Sequence, residues 1–426
     1  MFYQSFERLS FLTLDLPKSI LPLDIIRYTP HLKSLTLMRI HQWITFELME
    51  SIHQNCPYLE SLSLEGDNAQ ALSTHSLIQP AYRLKSFELN VEFGADRYHD
   101  WLIYLGQKYP RLISCRFRHS GRNKDMIEPC PTELYAWFIA CCPFLVDLQW
   151  HNIIPDFRFF RQLHQRQLKR LVVYDNSMML PTFLTSALFD HPCLSSLTHL
   201  TLAMPRSASP NEFIQSIART CPRLKHLGLR ETYCDLSAPF KMDNILDHCQ
   251  HLVSLELHRI ALRVLATQKP RPHPLERLEM NQCCLFDGVF DHIALRCFDL
   301  KYLQLFALTQ KDRRYKVRIH LPFQKLHKAE IAGLRTETFD IERRIRFFSI
   351  QHHWFYMSQF DVPNDKIEVA QAFEQVDISK SQFLSSLWTT SQRKNCIQDW
   401  DTYDAGHVDF QCQSIQYLYL NKKRVL

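Results

Sequence analysis

Leu32-Lys33-Ser34-Leu35-Thr36-Leu37 is a six-residue phrase, Leu-x-x-Leu-x-Leu, that this chain writes many times. It returns as Leu59, Leu62, Leu64, then as Leu197, Leu200, Leu202, and as Leu224, Leu227, Leu229. Leu252, Leu255, Leu257 and Leu300, Leu303, Leu305 repeat it again. Softer copies use other apolar residues: Leu84, Phe87, Leu89; Leu112, Cys115, Phe117; Leu145, Leu148, Trp150; Leu168, Leu171, Val173; Leu275, Leu278, Met280; Leu326, Ala329, Ile331. An early copy sits at Leu9, Leu12, Leu14 and a late one at Ile415, Leu418, Leu420. Between residues 32 and 326 the steps run from 23 to 33 residues, with a mean near 27. That mean lies inside the roughly 20–29-residue window of leucine-rich repeats.

The spacing has a physical reading. Residues at +3 and +5 from the first leucine share one side of a short strand, because side chains alternate along it. One unit cannot bury its apolar face alone; stacked units bury it in a continuous core with the strands parallel. The stretch before each strand reads as a helix. Trp43, Phe46, Met49, Ile52 and Cys56 form a helical stripe. Ser209-Pro210-Asn211-Glu212 is a capping box with proline at the first helical position. Asp100 and Asp287 are expected N-caps. Cys56-Pro57, Cys142-Pro143, Cys221-Pro222, Tyr109-Pro110 and Thr29-Pro30 end helices ahead of strands, since proline cannot continue them. The cysteine of each pair is expected to be a small buried packing residue. Eight residues after the first leucine stands a small polar residue in some copies (Asp67, Ser120, Asn176, Thr232, Cys283) and an apolar one in others (Ile40, Ile153, Ile260, Leu308). This implies uneven curvature.

A compact chain of 426 residues would usually split into two or three domains; a solenoid escapes that limit because its core grows along one axis. Glycine is scarce, 8 of 426, and no two lie within ten residues of each other. That excludes a Walker loop, a dinucleotide fingerprint and a nucleophile elbow, which need closely spaced glycines. No run approaches 18 apolar residues, no signal peptide is recognisable, and no Asn-x-Ser/Thr sequon occurs. Fourteen cysteines, most in helix-end or core slots, read as reduced thiols of the cytoplasm or nucleus. The net charge of +6 permits an acidic partner without demanding one.

Candidate sites divide by chemistry. His248-Cys249-Gln250-His251 and Cys283-Cys284 lack a second ligand pair at zinc spacing and are expected to be structural, so neither a metal nor any other cofactor is expected. Nothing frames the cysteines, histidines and aspartates as a triad, so no enzyme is expected. Arg158, Arg161, Arg166, Lys169 and Arg170 around Phe157, Phe159 and Phe160 form a basic-aromatic run, and Arg313, Arg314, Lys316 and Arg318 form another. A solvated outer surface is the commoner meaning of such runs, and nucleic acid is disfavoured as a partner. The sharpest candidate is the concave strand face at +4 and +6. Its expected partner-binding residues are Met38, Arg116, Arg118, His151, Tyr174, Arg230, His258, Asn281 and Phe306. They include the residue types that anchor interfaces.

The fold expected is an α/β leucine-rich-repeat solenoid, a curved horseshoe with parallel strands on the concave face and helices on the convex face. Residues 1–335 hold about 13 repeats. In residues 336–426 the phrase decays; Ile345, Phe348, Ile350 and Phe373, Val376, Ile378 read as degenerate copies, followed by a cap containing Trp388 and Trp400.

The phrase Cys221-Pro222-Arg223-Leu224-Lys225-His226-Leu227-Gly228-Leu229 resembles the cysteine-containing leucine-rich repeats of F-box proteins, within the ribonuclease-inhibitor-like superfamily. The resemblance covers roughly residues 6–335. It implies a substrate-recognition component of a cullin-RING ubiquitin ligase, with a Skp-type adaptor and cullin as partners if an F-box lies upstream. The chain departs from the family in having no recognisable F-box: Leu16-Pro17-Lys18-Ser19-Ile20-Leu21 is a poor echo of its opening, and a repeat already begins at Leu32. The expected function is therefore non-catalytic protein binding without a membrane, either for a ubiquitin ligase or as a ubiquitin-independent scaffold or regulator.

Overall fold

The computed structural model describes residues 6, 8–16, 23–41, 43–69, 78–93, 98–120, 132–152, 167–174, 192–204, 209–231, 234–265, 271–311, 316–332, 335–338, 341–344, 347–350, 353–359, 371–376, 407–420 and 423–424. The basic-aromatic run at 157–166, Arg313, Arg314, residues 17–21, Ile345, Ile378, Trp388 and Trp400 lie outside them. The chain divides into two compact units. The first is Met1–Ala208 with Arg219–Leu224; the second is Ser209–Ala218 with Lys225–Leu426.

Among the described residues the first unit contains eight strands, each built on one copy of the phrase: β1 (Phe11–Asp15), β2 (Ser34–Ile40), β3 (Ser61–Ala69), β4 (Ser86–Phe93), β5 (Ser114–His119), β6 (Asp147–His151), β7 (Arg170–Tyr174) and β8 (His199–Ala203). Each pairs parallel with the next. The register is the register of the phrase. Leu12, Leu35, Leu62, Phe87, Cys115, Leu148, Leu171 and Leu200 align across the sheet, all at +3. From Leu35 onward each is at most 1% exposed. A one-residue slip would turn every one of them to the other face, so burial holds the register.

The described helices of this unit are α1 (Leu23–Ile26), α2 (Phe46–Asn55), α3 (Tyr98–Lys108) and α4 (Thr132–Cys141). Thr45 caps α2, its hydroxyl accepting from the Leu48 amide at 3.3 Å. Trp43, read from the sequence as part of this helix, precedes the cap and is exposed. Asp100 is not an N-cap: α3 begins two residues earlier, and the carboxylate sits in its first turn, where the helix dipole favours a negative charge.

The second unit repeats the scheme with β9 (His226–Arg230), β11 (Ser254–His258), β13 (Arg277–Asn281), β15 (Tyr302–Phe306) and the end of β17 (Lys316–Ala332). Again +3 meets +3: Leu227, Leu255, Leu278, Leu303 and Ala329 align. Helix α5 (Pro210–Thr220) starts on the expected proline. Two further helices are α6 (Met242–His248) and α7 (Val289–Arg296). Gly288, not Asp287, caps α7, with φ at 82° in the left-handed region that glycine enters without a Cβ clash.

Both units are thus leucine-rich-repeat stacks, but three features depart from the sequence reading. First, a helix does not precede every strand. Among the described residues, 271–276 before β13 contain none, because Pro270, Pro272 and Pro274 forbid it. Before the phrase at Leu326 the chain is already extended in β17, with Val317, Ile319 and Leu321 buried in alternation.

Second, a second parallel ladder follows the turns: β10 (Phe240–Lys241), β12 (Ala261–Arg263), β14 (Cys284–Leu285), β16 (Thr309–Gln310) and β18 (Arg335–Thr338). Strand β19 (Ile341–Arg344) closes it antiparallel. The turn entering this ladder uses the position seven after the first leucine. Arg259, Gln282 and Ala307 there have φ between 49° and 57°, and Arg39 and Asn152, at the same position in the first unit, have φ of 55° and 58°.

Third, the stretches read as degenerate copies, at Phe348, Ile350 and at Phe373, Val376, each pair antiparallel with a strand between them, and the first also pairs parallel with His407–Phe410, Phe348 opposite Val408 and Ile350 opposite Phe410. β20 (Phe347–Ile350), β21 (His353–Gln359) and β22 (Gln371–Val376) pair antiparallel as a meander. Trp354, Phe355 and Tyr356 lie in β21. The late copy is real: β23 (His407–Leu420) lies parallel to β17, with Ile415, Leu418 and Leu420 opposite Leu326, Ala329 and Ile331. A short β24 (Lys423–Arg424) folds back on β23.

Candidate functional site

The outward side of the strands carries the side chains at +2, +4 and +6. In the first unit Arg116 is fixed from both sides. Its Nη1 donates to Glu88 at 3.0 Å and its Nε to Gln149 at 3.0 Å. Gln149 donates in turn to Asp147, and the Ser114 hydroxyl donates to the same carboxylate at 3.2 Å. Arg118, at +6 on the same strand, is exposed and Met38 is half-buried.

His151 and Tyr174 were expected at the exposed surface and are not there. They are 9% and 6% exposed. Opposed across the β6–β7 pair, the ring centroids lie 4.6 Å apart, with Oη 2.6 Å from Nδ1. Each polar group bonds the other, which lowers the cost of leaving water.

In the second unit the +4 line reads Gly228, Glu256, Glu279, Gln304 and Glu330. Arg230 donates to Glu256 at 2.5 Å, Arg277 to Gln304 at 3.0 Å, and Gln304 to Glu330 at 3.2 Å. Burial and the neighbouring Glu256 raise the Glu279 carboxyl, against Arg277 and Arg230. Burial, then Arg230 and Arg259, push His258 down to about 4, so at neutral pH it is an uncharged acceptor or donor. Asn281 and Phe306 are half-buried at +6.

Sequence reasoning missed the contributors at +2. Arg277 reaches across one strand, and Lys328 donates to Glu330 at 3.1 Å while lying 4.9 Å over the Tyr419 ring. Tyr417 and Tyr419 of β23 continue this line, Tyr417 opposite Lys328 and Tyr419 opposite Glu330. The late copy at Ile415 carried that signal, because it puts the two tyrosines at +2 and +4.

The cysteines expected to be structural are held by backbone. Eleven cysteines of the described residues, from Cys56 to Cys412, are reduced thiols. Cys249 and Cys283 are buried, and burial pushes both thiols up to about 12. Cys283 donates to the Leu257 carbonyl at 3.3 Å. A cavity of about 650 Å³ opens beside α6 and α7, where the prolines displace a helix. Its carboxylates are already engaged: Asp247 pairs with the buried Arg296 at 2.7 Å. Asp243 accepts from the Leu265 amide and lies 2.8 Å from His292 Nε2, too poorly aligned for a hydrogen bond.

No family model matches the chain, and no curated protein does. Among solved structures it resembles an internalin from Listeria monocytogenes at 15% identity, covering 77% of this chain and 88% of that one with a TM-score of 0.37. It also resembles a chain of the yeast Rad7–Elc1 complex at 17% identity, covering 76% of each with a TM-score of 0.39. Overlaps this loose carry no functional argument. The leucine-rich-repeat fold stands on the strand ladders themselves.

Proposed function

We propose that this chain binds a protein through the outward face of its repeat strands and performs no chemistry of its own. The observation that carries this reading is the cross-strand ordering of that face. Glu88–Arg116–Gln149 in one unit, and Arg230–Glu256 with Arg277–Gln304–Glu330 in the other, are already tied before any partner arrives. Side chains ordered in advance lose less entropy on binding.

The finer reading is substrate recognition for a cullin-RING ubiquitin ligase, supported by the Cys-Pro-x-Leu-x-x-Leu-x-Leu phrase. Free thiols buried at helix ends suit the reducing cytoplasm or nucleus. Affinity purification from native cells with mass spectrometry tests this. A Skp-type adaptor and cullin are expected to co-purify; another stoichiometric partner without them makes the chain a ubiquitin-independent scaffold.

For the surface itself, Arg118→Glu combined with Phe306→Ala is expected to weaken that partner at least tenfold, the scale of an interface anchor, with an unchanged unfolding midpoint. Unaltered affinity would reject the strand face. Arg230 is unsuited to charge reversal, since a glutamate there would face Glu256.

A further inference from the structure

The first unit carries a second organised surface, on the edge where the chain turns into each strand. The residue after the first leucine of each copy is hydrogen-bonded to its counterpart one repeat earlier. Amides of Glu60, Lys85, Ile113, Val146, Lys169 and Thr198 donate to carbonyls of Lys33, Glu60, Lys85, Ile113, Val146 and Lys169, at 2.7–2.9 Å. These positions therefore stack in a line at about 4.8 Å per repeat, the spacing of paired strands.

The side chains along this line, and on the two residues preceding each leucine, are selective. Arg8, Lys33, Arg83, Lys85, Arg111 and Lys169 are cations, and all six are exposed. The one carboxylate among the described residues at these positions is Glu60, and Lys85 neutralises it at 2.7 Å. Tyr58, Tyr82, Ile113 and Phe144 also lie here, 39–58% exposed; they are four of the six exposed large apolar residues described in this unit. His31 stacks on Tyr58 at 5.6 Å, and the Arg83 guanidinium lies 4.5 Å over the same ring, so part of the edge is ordered in advance.

We propose that this edge binds single-stranded nucleic acid. Cations spread along a regular ladder match a linear polyanion, and exposed rings among them offer faces on which bases stack without regard to sequence. Tyr82 and Phe144 are the platforms; Lys33, Arg83, Arg111 and Lys169 hold phosphates. The contiguous runs weighed in the sequence could not reveal this, because the cations come from different repeats and are brought together only by the ladder. The surface is separate from the strand face, so either reading can fail alone.

The test is fluorescence anisotropy of the full chain with a labelled 20-nucleotide oligothymidylate, titrated at several salt concentrations. Wild type is expected to bind with a log–log salt slope near −3, at about 0.7 per phosphate contacted. Lys33→Glu, Arg111→Glu, Lys169→Glu together are expected to weaken binding at least tenfold and flatten the slope by about 2. Tyr82→Ala with Phe144→Ala is expected to weaken it at least tenfold while leaving the slope in place. Arg263→Glu, an exposed cation of the second unit outside both surfaces, is the control and leaves oligonucleotide binding unchanged. No salt-dependent binding by wild type overturns the proposal. So does poly-L-glutamate competing as well as the oligonucleotide with indifference to the loss of both rings, which would assign the edge to an acidic polypeptide.

Discussion

Gln324 makes the bonds that a neighbouring repeat leaves open. Helix α7 ends at Cys297, whose backbone carbonyl faces the next repeat, and no helix follows there to supply a matching slot. Gln324, fully buried, donates to that carbonyl at 3.1 Å and to the Ala294 carbonyl at 2.9 Å. His273 serves Cys249 in the same way, with Nε2 3.0 Å from its carbonyl. Where the Cys-Pro slot is present, thiols reach back instead: Cys56 donates to the Thr29 carbonyl at 3.5 Å, and Cys142 to that of Tyr109 at 3.9 Å. Gln324→Leu, close in volume but without donors, removes the side-chain bonds to both carbonyls and leaves that of Cys297 only the Leu300 amide at 3.2 Å. It is expected to cost about 1–3 kcal/mol, read as a lower urea midpoint with an unchanged slope. No change in midpoint would mean the carbonyls find other donors. The sequence marked the cysteines as structural; it could not show that a glutamine and a histidine two residues ahead of other phrases stand in for them.

At the scale of elements, helices α2 and α3 meet through polar groups as well as apolar ones. Lys108, 3% exposed at its side chain, donates to Glu50 at 2.6 Å, and the Tyr104 hydroxyl donates to the same carboxylate at 2.9 Å. His53 Nε2 lies 2.7 Å from the Tyr109 hydroxyl. Burial, with Lys108 nearby, pushes His53 down to about 3, so the folded ring is neutral. The unfolded ring takes a proton near 6.5. As pH falls from about 6.5 to about 3, the unfolded state binds a proton the folded state refuses. Stability therefore falls, by up to about 1.4 kcal/mol per pH unit. Because His258, His273 and His292 shift the same way, the informative comparison is His53→Gln with wild type. The variant is expected to lose close to one proton from the dependence of unfolding free energy on pH between 7 and 5. Parallel curves would show that His53 ionises in place. Helix existence was legible here from the period of Phe46, Met49 and Ile52, but the start at the Thr45 cap, which leaves Trp43 outside the helix, was not. Apolar periodicity continues past a helix end, whereas the cap depends on one hydroxyl.

For the molecule as a whole, the last phrase of the solenoid is 89 residues away from its neighbour in sequence and adjacent to it in space. Ile415 pairs with Leu326 across the β17–β23 ladder, and His327 Nδ1 is 2.6 Å from Gln416 Oε1. Strand β23 thereby covers the edge of β17, which would otherwise offer unpaired amides and carbonyls to other chains. Truncation after residue 406 is expected to leave the first unit folded and to make the second aggregate. Light scattering on heating, together with hydrogen exchange in β1–β8 against β9–β17, checks this. A monomeric truncation with protection retained in β15 and β17 would reject a covering role. The repeat stacks themselves were legible from one phrase, because a strand that alternates leucines at +3 and +5 has only one face to bury and only one register that buries it. Proline spacing likewise contained the loss of the helix before β13. The sequence alone did not decide what lies opposite an outward side chain. His151 and Tyr174 carry the same +6 label as Arg118, yet the strand pairing seals the first two against each other and leaves the third in water. Nor did it decide which distant cations share an edge. Composition and period are local properties of the chain, while burial, ion pairing and the line of charges from Arg8 to Lys169 depend on which repeats the backbone ladder sets side by side.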